Sequence, residues 1–134
     1  MWQVVFLFKF IQMIRVIIVD DEPMARNTLA RMLGKYFSDS VRVVEQCGDV
    51  RTAAQAVMNY RPDIVFLDIE MPEHNGFMLF DLLDQVAFET IFTTAYKNYA
   101  IEAIKVSALD YLLKPINFID LKEALDRYAK RKAQ

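Results

Sequence analysis

Two kinds of apolar pattern alternate along the chain. Ile14–Val19, Val41–Val44, Ile64–Leu67, Thr90–Thr93 and Asp110–Leu113 are short runs dominated by apolar and β-branched residues. Most lack the in-and-out alternation of a half-solvated strand, as parallel strands covered on both faces should. Between them, apolar residues recur at helical spacing: Ala25, Leu29, Leu33 and Tyr36; Ala53, Val57 and Tyr60; Leu79, Leu82, Leu83 and Val86; Ala100, Ala103 and Ile104; Leu121, Ala124, Leu125 and Tyr128. Such spacing turns one stripe of each helix toward a core. Pro23 suits a first helical turn, with Asp21 and Glu22 ahead of it as candidate caps. Gly48 and Asp49 break the chain before the second helix, and Pro62 stops that helix. Five strand–helix units joined by right-handed crossovers predict an open α/β sandwich, a parallel sheet with helices on both faces.

At 134 residues, 54% of them apolar, the chain fits one domain with one core. A formal charge of −2 gives no field for attracting nucleic acid, so DNA is reached only through an effector outside this sequence. The one cysteine, Cys47, has no partner for a disulfide or a thiolate cluster; it reads as a small core residue in a protein of the reducing cytoplasm.

The first twelve residues, MWQVVFLFKFIQ, are greasy. They lack a basic leading region and a small-residue cleavage site, and Lys9, Gln12 and Arg15 interrupt them well short of the ~20 apolar residues of a membrane span. The segment 1–12 is therefore read as a leader or extension before a domain at 13–132, with Met13 as an alternative start and an added edge strand or partner-binding arm as the functional alternative.

The polar residues fall at the strand ends. The stretch VIIVDDEP places three carboxylates, Asp20, Asp21 and Glu22, directly after a buried run, although like charges packed together cost stability unless something compensates them. In an open parallel sheet, ligands bind at the carboxyl ends of the strands. Asp20 and Asp21 end the first strand, Asp68 the third, Thr93 and Thr94 the fourth, and Lys114 follows the fifth. Converging carboxylates form a hard, oxygen-rich pocket suited to Mg²⁺. Asp68 would project into it as a nucleophile or a ligand, and Thr94 and Lys114 would supply a hydroxyl and an ammonium for phosphoryl oxygens. For any single residue, solvation of the sheet edge is an equally good account; for five groups on four strand ends it is a poor one.

VIIVDDEP, PDIVFLDIEMPEHNGF, FTTAY and ALDYLLKPI together resemble the receiver domain of bacterial response regulators, in matching order and spacing from Ile14 to about Arg131. The resemblance implies a flavodoxin-like (CheY-like) three-layer sandwich with strand order 2-1-3-4-5. It implies Asp68 as acceptor of a phosphoryl group from a sensor histidine kinase, and Mg²⁺ held by Asp20, Asp21, Asp68 and the backbone carbonyl of Glu70. Thr94 and Lys114 would contact the phosphoryl group, Tyr111 would be the switch aromatic, and the peptide before Pro115 would be cis. Glu70 and Tyr96 stand where the family tunes phosphoryl lifetime. The resemblance also makes the fourth helix, fifth strand and fifth helix the output face and a possible homodimer surface.

TAYKNYAIEAIKVSALDYLLKPI looks more particularly like receivers attached to LytTR-type DNA-binding domains, so the expected partner is a DNA-binding effector; a stand-alone receiver acting on a protein target is the alternative. The expected chemistry is self-phosphorylation and slow self-dephosphorylation rather than enzymatic turnover. A dehalogenase-type aspartyl-phosphate enzyme, with its nucleophile after the first strand, is opposed by the lack of a cap insertion among the strand–helix units. A pseudo-receiver is opposed by complete acceptor, metal and lysine positions. His74 reads as an exposed loop spacer, Gly76 as a turn or helix start, and Arg127, Lys130, Arg131 and Lys132 as a basic helix end that favours the dipole. Met24 and Met78, near strand-end loops, are candidate partner contacts.

Overall fold

The fold is described for residues 13–134 of a computed structural model; the expected leader at 1–12 lies outside the described residues. The elements run β1 (Ile14–Val19), α1 (Pro23–Tyr36), β2 (Val41–Cys47), α2 (Val50–Tyr60), β3 (Ile64–Leu67), α3 (Met78–Asp81), β4 (Glu89–Thr94), α4 (Ala100–Lys105), β5 (Asp110–Leu113) and α5 (Phe118–Ala133). The five strands form one parallel sheet in the order β2-β1-β3-β4-β5, the order expected. β2 runs to Cys47, beyond the apolar run that marked it, because the register with β1 slips by one residue after Val16 and continues to Val19 opposite Cys47.

Successive strand residues point to opposite faces, and both faces are covered. Val16, Ile18, Ile64, Phe66 and Ile91 meet Leu29 and Leu33 of α1 and Leu121 and Leu125 of α5. Ile17, Val19, Val65, Leu67 and Phe92 meet Val57 of α2, Leu79 of α3 and Ala103 of α4. β3 is buried along its whole length, which explains why IVFL carries no alternation. Cys47 is buried, and burial pushes its thiol up to about 11. No helix among the described residues is long and apolar enough to cross a membrane.

The helix ends depart from expectation in places. Glu22 occupies the N-cap position of α1, but its side chain makes no capping bond, and Asp21 does not cap either; Pro23 at the first turn leaves one fewer N–H to satisfy. Asp49 caps α2 in full, its Oδ1 accepting from the Thr52 N–H at 2.8 Å. α2 ends at Tyr60, one residue before Arg61 turns left-handed at φ 47°. The third helix is a single turn rather than a stripe reaching Val86. Phe88 is drawn into the core beside Phe80, so the chain leaves the helix early, and Leu82 and Val86 are each 47% exposed. Tyr36 and Ile104, also assigned to core stripes, are exposed at the ends of α1 and α4.

Candidate metal and phosphoryl site

The sheet order sets the site. β1 and β3 are hydrogen-bonded neighbours, so Asp20 and Asp68, each one residue past its strand, leave the same edge side by side. Alternation carried past the strands places Asp20 two beyond Ile18, Asp68 two beyond Phe66 and Lys114 two beyond Leu112, all on the α1–α5 side. Carboxylate oxygens of Asp20, Asp21 and Asp68 lie within 4.8 Å of one another; Asp20 and Asp68 are buried and Asp21 is half-buried.

Each buried carboxylate is held from two directions. Asp20 Oδ1 accepts from the Glu22 N–H at 2.9 Å, and its Oδ2 accepts from Lys114 Nζ at 2.6 Å. Asp68 Oδ1 accepts from the Ile69 N–H at 2.8 Å, and its Oδ2 from the same ammonium at 3.3 Å. Lys114 thus bridges both acids rather than pairing with one. Burial pushes the Asp68 carboxyl up to about 6; Lys114 pulls it down and the Asp20 charge pushes it further up. Burial opposes the charge on Lys114, yet its two carboxylate partners outweigh that and hold it above its ordinary value.

Thr94 is fully buried at the end of β4, and its Oγ1 accepts from the Tyr96 N–H at 3.2 Å. Tyr111, half-buried on β5 against Phe92, donates its hydroxyl to the carbonyl of Tyr96. Both side chains therefore meet at Tyr96, in the loop that leads to α4. The Lys114–Pro115 peptide is cis. Glu70 is exposed, with its backbone bridged to Asn75, and it borders with Glu22, Met71, Ala95 and Tyr96 a cleft of about 340 Å³ that opens onto Asp68 and Lys114.

Three contributors carry no sequence signal that ties them to the site. Gly76 lies against Asp68 itself: a Cβ there would come within 2.1 Å of the Asp68 carbonyl oxygen, while its N–H donates to the Ile69 carbonyl at 2.7 Å. Arg26 reaches back from α1 and donates to the Asp20 carbonyl at 2.6 Å. Gly48 leaves the room in which that guanidinium sits. A glycine eight residues after an aspartate and an arginine six residues after one fall into no periodicity, so only the folded chain brings them together. His74 is half-buried rather than an exposed spacer, and its Nδ1 has no hydrogen-bond partner among the described residues.

Hard oxygen donors closed on by a lysine at the carboxyl edge of a 2-1-3-4-5 sheet agree with what comparison with known proteins finds. The response regulator receiver domain matches residues 16–126. The chain is 38% identical over 122 residues to the sensory transduction protein LytT of Bacillus cereus, a match covering 90% of this chain and 49% of that protein. It is 40% identical over 123 residues to the transcriptional regulatory protein BtsR of Salmonella typhi, covering 91% of this chain and 51% of that protein. The chain thus spans about half the length of these relatives. Among solved structures, the REC domain of AraT, a response regulator from Geobacillus stearothermophilus, superposes with a TM-score of 0.77 at 28% identity, over 90% of this chain and 96% of that one. The response regulator domain of Thermotoga maritima CheB gives 0.71 at 26% identity, over 90% and 95%. This chain belongs to the receiver domain family of two-component response regulators, alongside the LytTR-type receivers of LytT and BtsR.

Proposed function

We propose that Asp68 is the phosphoacceptor of a signalling switch comprising residues 13–132, and that the donor is the phosphohistidine of a sensor histidine kinase. The observation that supports this most is the pair of buried carboxylates, Asp20 and Asp68, bridged by one ammonium at 2.6 and 3.3 Å with Asp21 beside them. A carboxylate oxygen of Asp68 forms a bond to phosphorus as the histidine N–P bond breaks, and the histidine nitrogen leaves with the electron pair. Lys114 would move from the carboxylates to phosphoryl oxygens, and the Thr94 hydroxyl would donate to another. The donor set fits Mg²⁺: three carboxylates with oxygens within 4.8 Å are hard ligands for a small cation, and the Glu70 carbonyl would complete the protein's share. Bound there, Mg²⁺ supplies positive charge against the phosphoryl oxygens and the acceptor.

The switch reading follows from Tyr96. An acyl phosphate that draws the Thr94 hydroxyl away frees the Tyr96 N–H, and the Tyr111 hydroxyl on the Tyr96 carbonyl carries the shift toward α4. Moving such an equilibrium from 1:99 to 99:1 takes about 5.5 kcal/mol of differential stabilisation, the scale of a few charge-assisted hydrogen bonds. The attached output is a DNA-binding effector; the extra length of the relatives and the transcriptional role in BtsR's name support that assignment. The α4–β5–α5 face is the surface through which a homodimer would form.

Incubation with a small phosphodonor and Mg²⁺, followed by intact mass, tests the reading. The expected product is one phosphoryl adduct, abolished by Asp68→Asn. An unmodified wild-type chain would point to a pure binding module, and sustained turnover of phosphoesters to a hydrolase.

A further inference from the structure

We infer that Arg26, seated in the space left by Gly48, is a positioning residue that holds the Asp20–Asp21 turn in the shape that takes a divalent cation. This rests on the Mg²⁺ reading of the acidic trio. Once past β1, the turn keeps one sheet-like bond, from the Asp20 N–H to the Cys47 carbonyl at 3.0 Å. The Asp20 carboxylate is fixed by Glu22 and Lys114, and the Glu22 N–H on its Oδ1 closes a turn through the Asp20–Asp21 peptide, whose carbonyl oxygen lies outside that ring and is held separately. The Asp20 carbonyl and the Asp21 N–H share one rigid plane, so whatever aims that carbonyl also sets where Asp21 begins. Arg26 NH1 aims it, at 2.6 Å, and is its only donor among the described hydrogen bonds.

Arg26 itself is set by its place in α1, its N–H bonded to the Glu22 carbonyl at 3.1 Å, and by the β2–α2 connection behind it. A Cβ at Gly48 would stand 3.3 Å from NH1, a contact tight enough that the guanidinium would have to shift by a few tenths of an ångström, and a larger side chain would meet it more closely. The arginine and the glycine therefore act as one unit joining the acid turn to β2. A planar, charged donor is the side chain suited to hold a carbonyl in a fixed direction.

Charge and positioning oppose each other here, which makes the inference testable. A cation beside three carboxylates weakens binding of another cation, so removing Arg26 would tighten Mg²⁺ if only charge mattered. If positioning dominates, Mg²⁺ weakens. Calorimetric titration of the full chain with Mg²⁺, with thermal melts in EDTA to verify folding, should show Arg26→Met raising the Mg²⁺ Kd by about fivefold to tenfold. Arg26→Lys should fall between wild type and Arg26→Met. Gly48→Leu should weaken Mg²⁺ comparably, and Arg26→Met/Gly48→Leu should be no weaker than the worse single variant. An unchanged or tighter Kd in Arg26→Met, or losses that add in the pair, overturns the inference. A wild-type chain with no Mg²⁺ response overturns the site reading and this inference together, whereas a responsive wild type matched by the variant overturns the inference alone. Should Arg26→Met not fold, Arg26→Lys and Gly48→Leu decide by the same criterion.

Discussion

Replacing Lys114 with Met should destabilise the fold even with the cation chelated, because Lys114 is, among the described residues, the one side chain bonded to both buried acids. Methionine keeps the apolar stem and removes only the charge. The lysine side chain is 23% exposed and the carboxylates it bridges are 4% and 7% exposed, so the pair lies between a surface ion pair and a buried one. Surface pairs contribute at most about 1 kcal/mol, and stripping one partner from a buried pair costs about 3–5 kcal/mol. Attraction of about 4 kcal/mol between charges 4 Å apart at an effective dielectric near 20 agrees with that bracket. The expected loss is about 2–3 kcal/mol in EDTA at pH 7.5, above the titration of Asp68. With a urea slope of about 1.5 kcal/mol per molar, the circular-dichroism midpoint drops by about 1.3–2 M. Lys114→Met/Asp20→Asn should recover most of the loss, since the acid at 2.6 Å no longer needs a counter-charge, giving a coupling of at least about 1 kcal/mol. Millimolar Mg²⁺ should narrow the gap between Lys114→Met and wild type. A loss under about 0.5 kcal/mol, or single-variant losses that merely add, would refute the account of Lys114 as the compensating charge.

Three further outcomes are expected. Gly76→Ala forces a methyl against the Asp68 carbonyl and should cost about 1–3 kcal/mol in urea denaturation; a neutral result would show that this loop relaxes freely. Asp49→Ala removes the cap on the Thr52 N–H and should lower stability by about 1 kcal/mol, with Asp49→Asn close to wild type. The raised pKa of Asp68 predicts a pH effect in EDTA: its contribution is fully present below its ordinary value of 3.8 and is lost as pH rises through about 6. Wild type measured against Asp68→Asn should therefore lose ground across that window, and parallel profiles would contradict the burial argument.

The sheet was readable from sequence because buried parallel strands are short, apolar and β-branched. IIV before Asp20 and IVFL before Asp68 mark both the strands and the residues that must emerge at their ends. The helix surfaces were less readable. Leu82, Val86 and Ile104 have core-like spacing, but spacing says nothing of how many turns a helix completes before Phe88 pulls the chain inward. The site's buttresses were silent for another reason. Arg26, Gly48 and Gly76 act through approaches between segments distant in the chain, and an arginine or a glycine alone has too many ordinary uses to single one out.

Because Asp20 and Asp68 leave adjoining ladder partners, the width of the acidic pocket is measured by peptide hydrogen bonds rather than by the apolar side chains beneath it. Interior residues can be exchanged for others of similar bulk without moving that gauge. The same architecture accordingly tolerates the drift to about a quarter identity seen against CheB, since its critical dimension is written in the main chain.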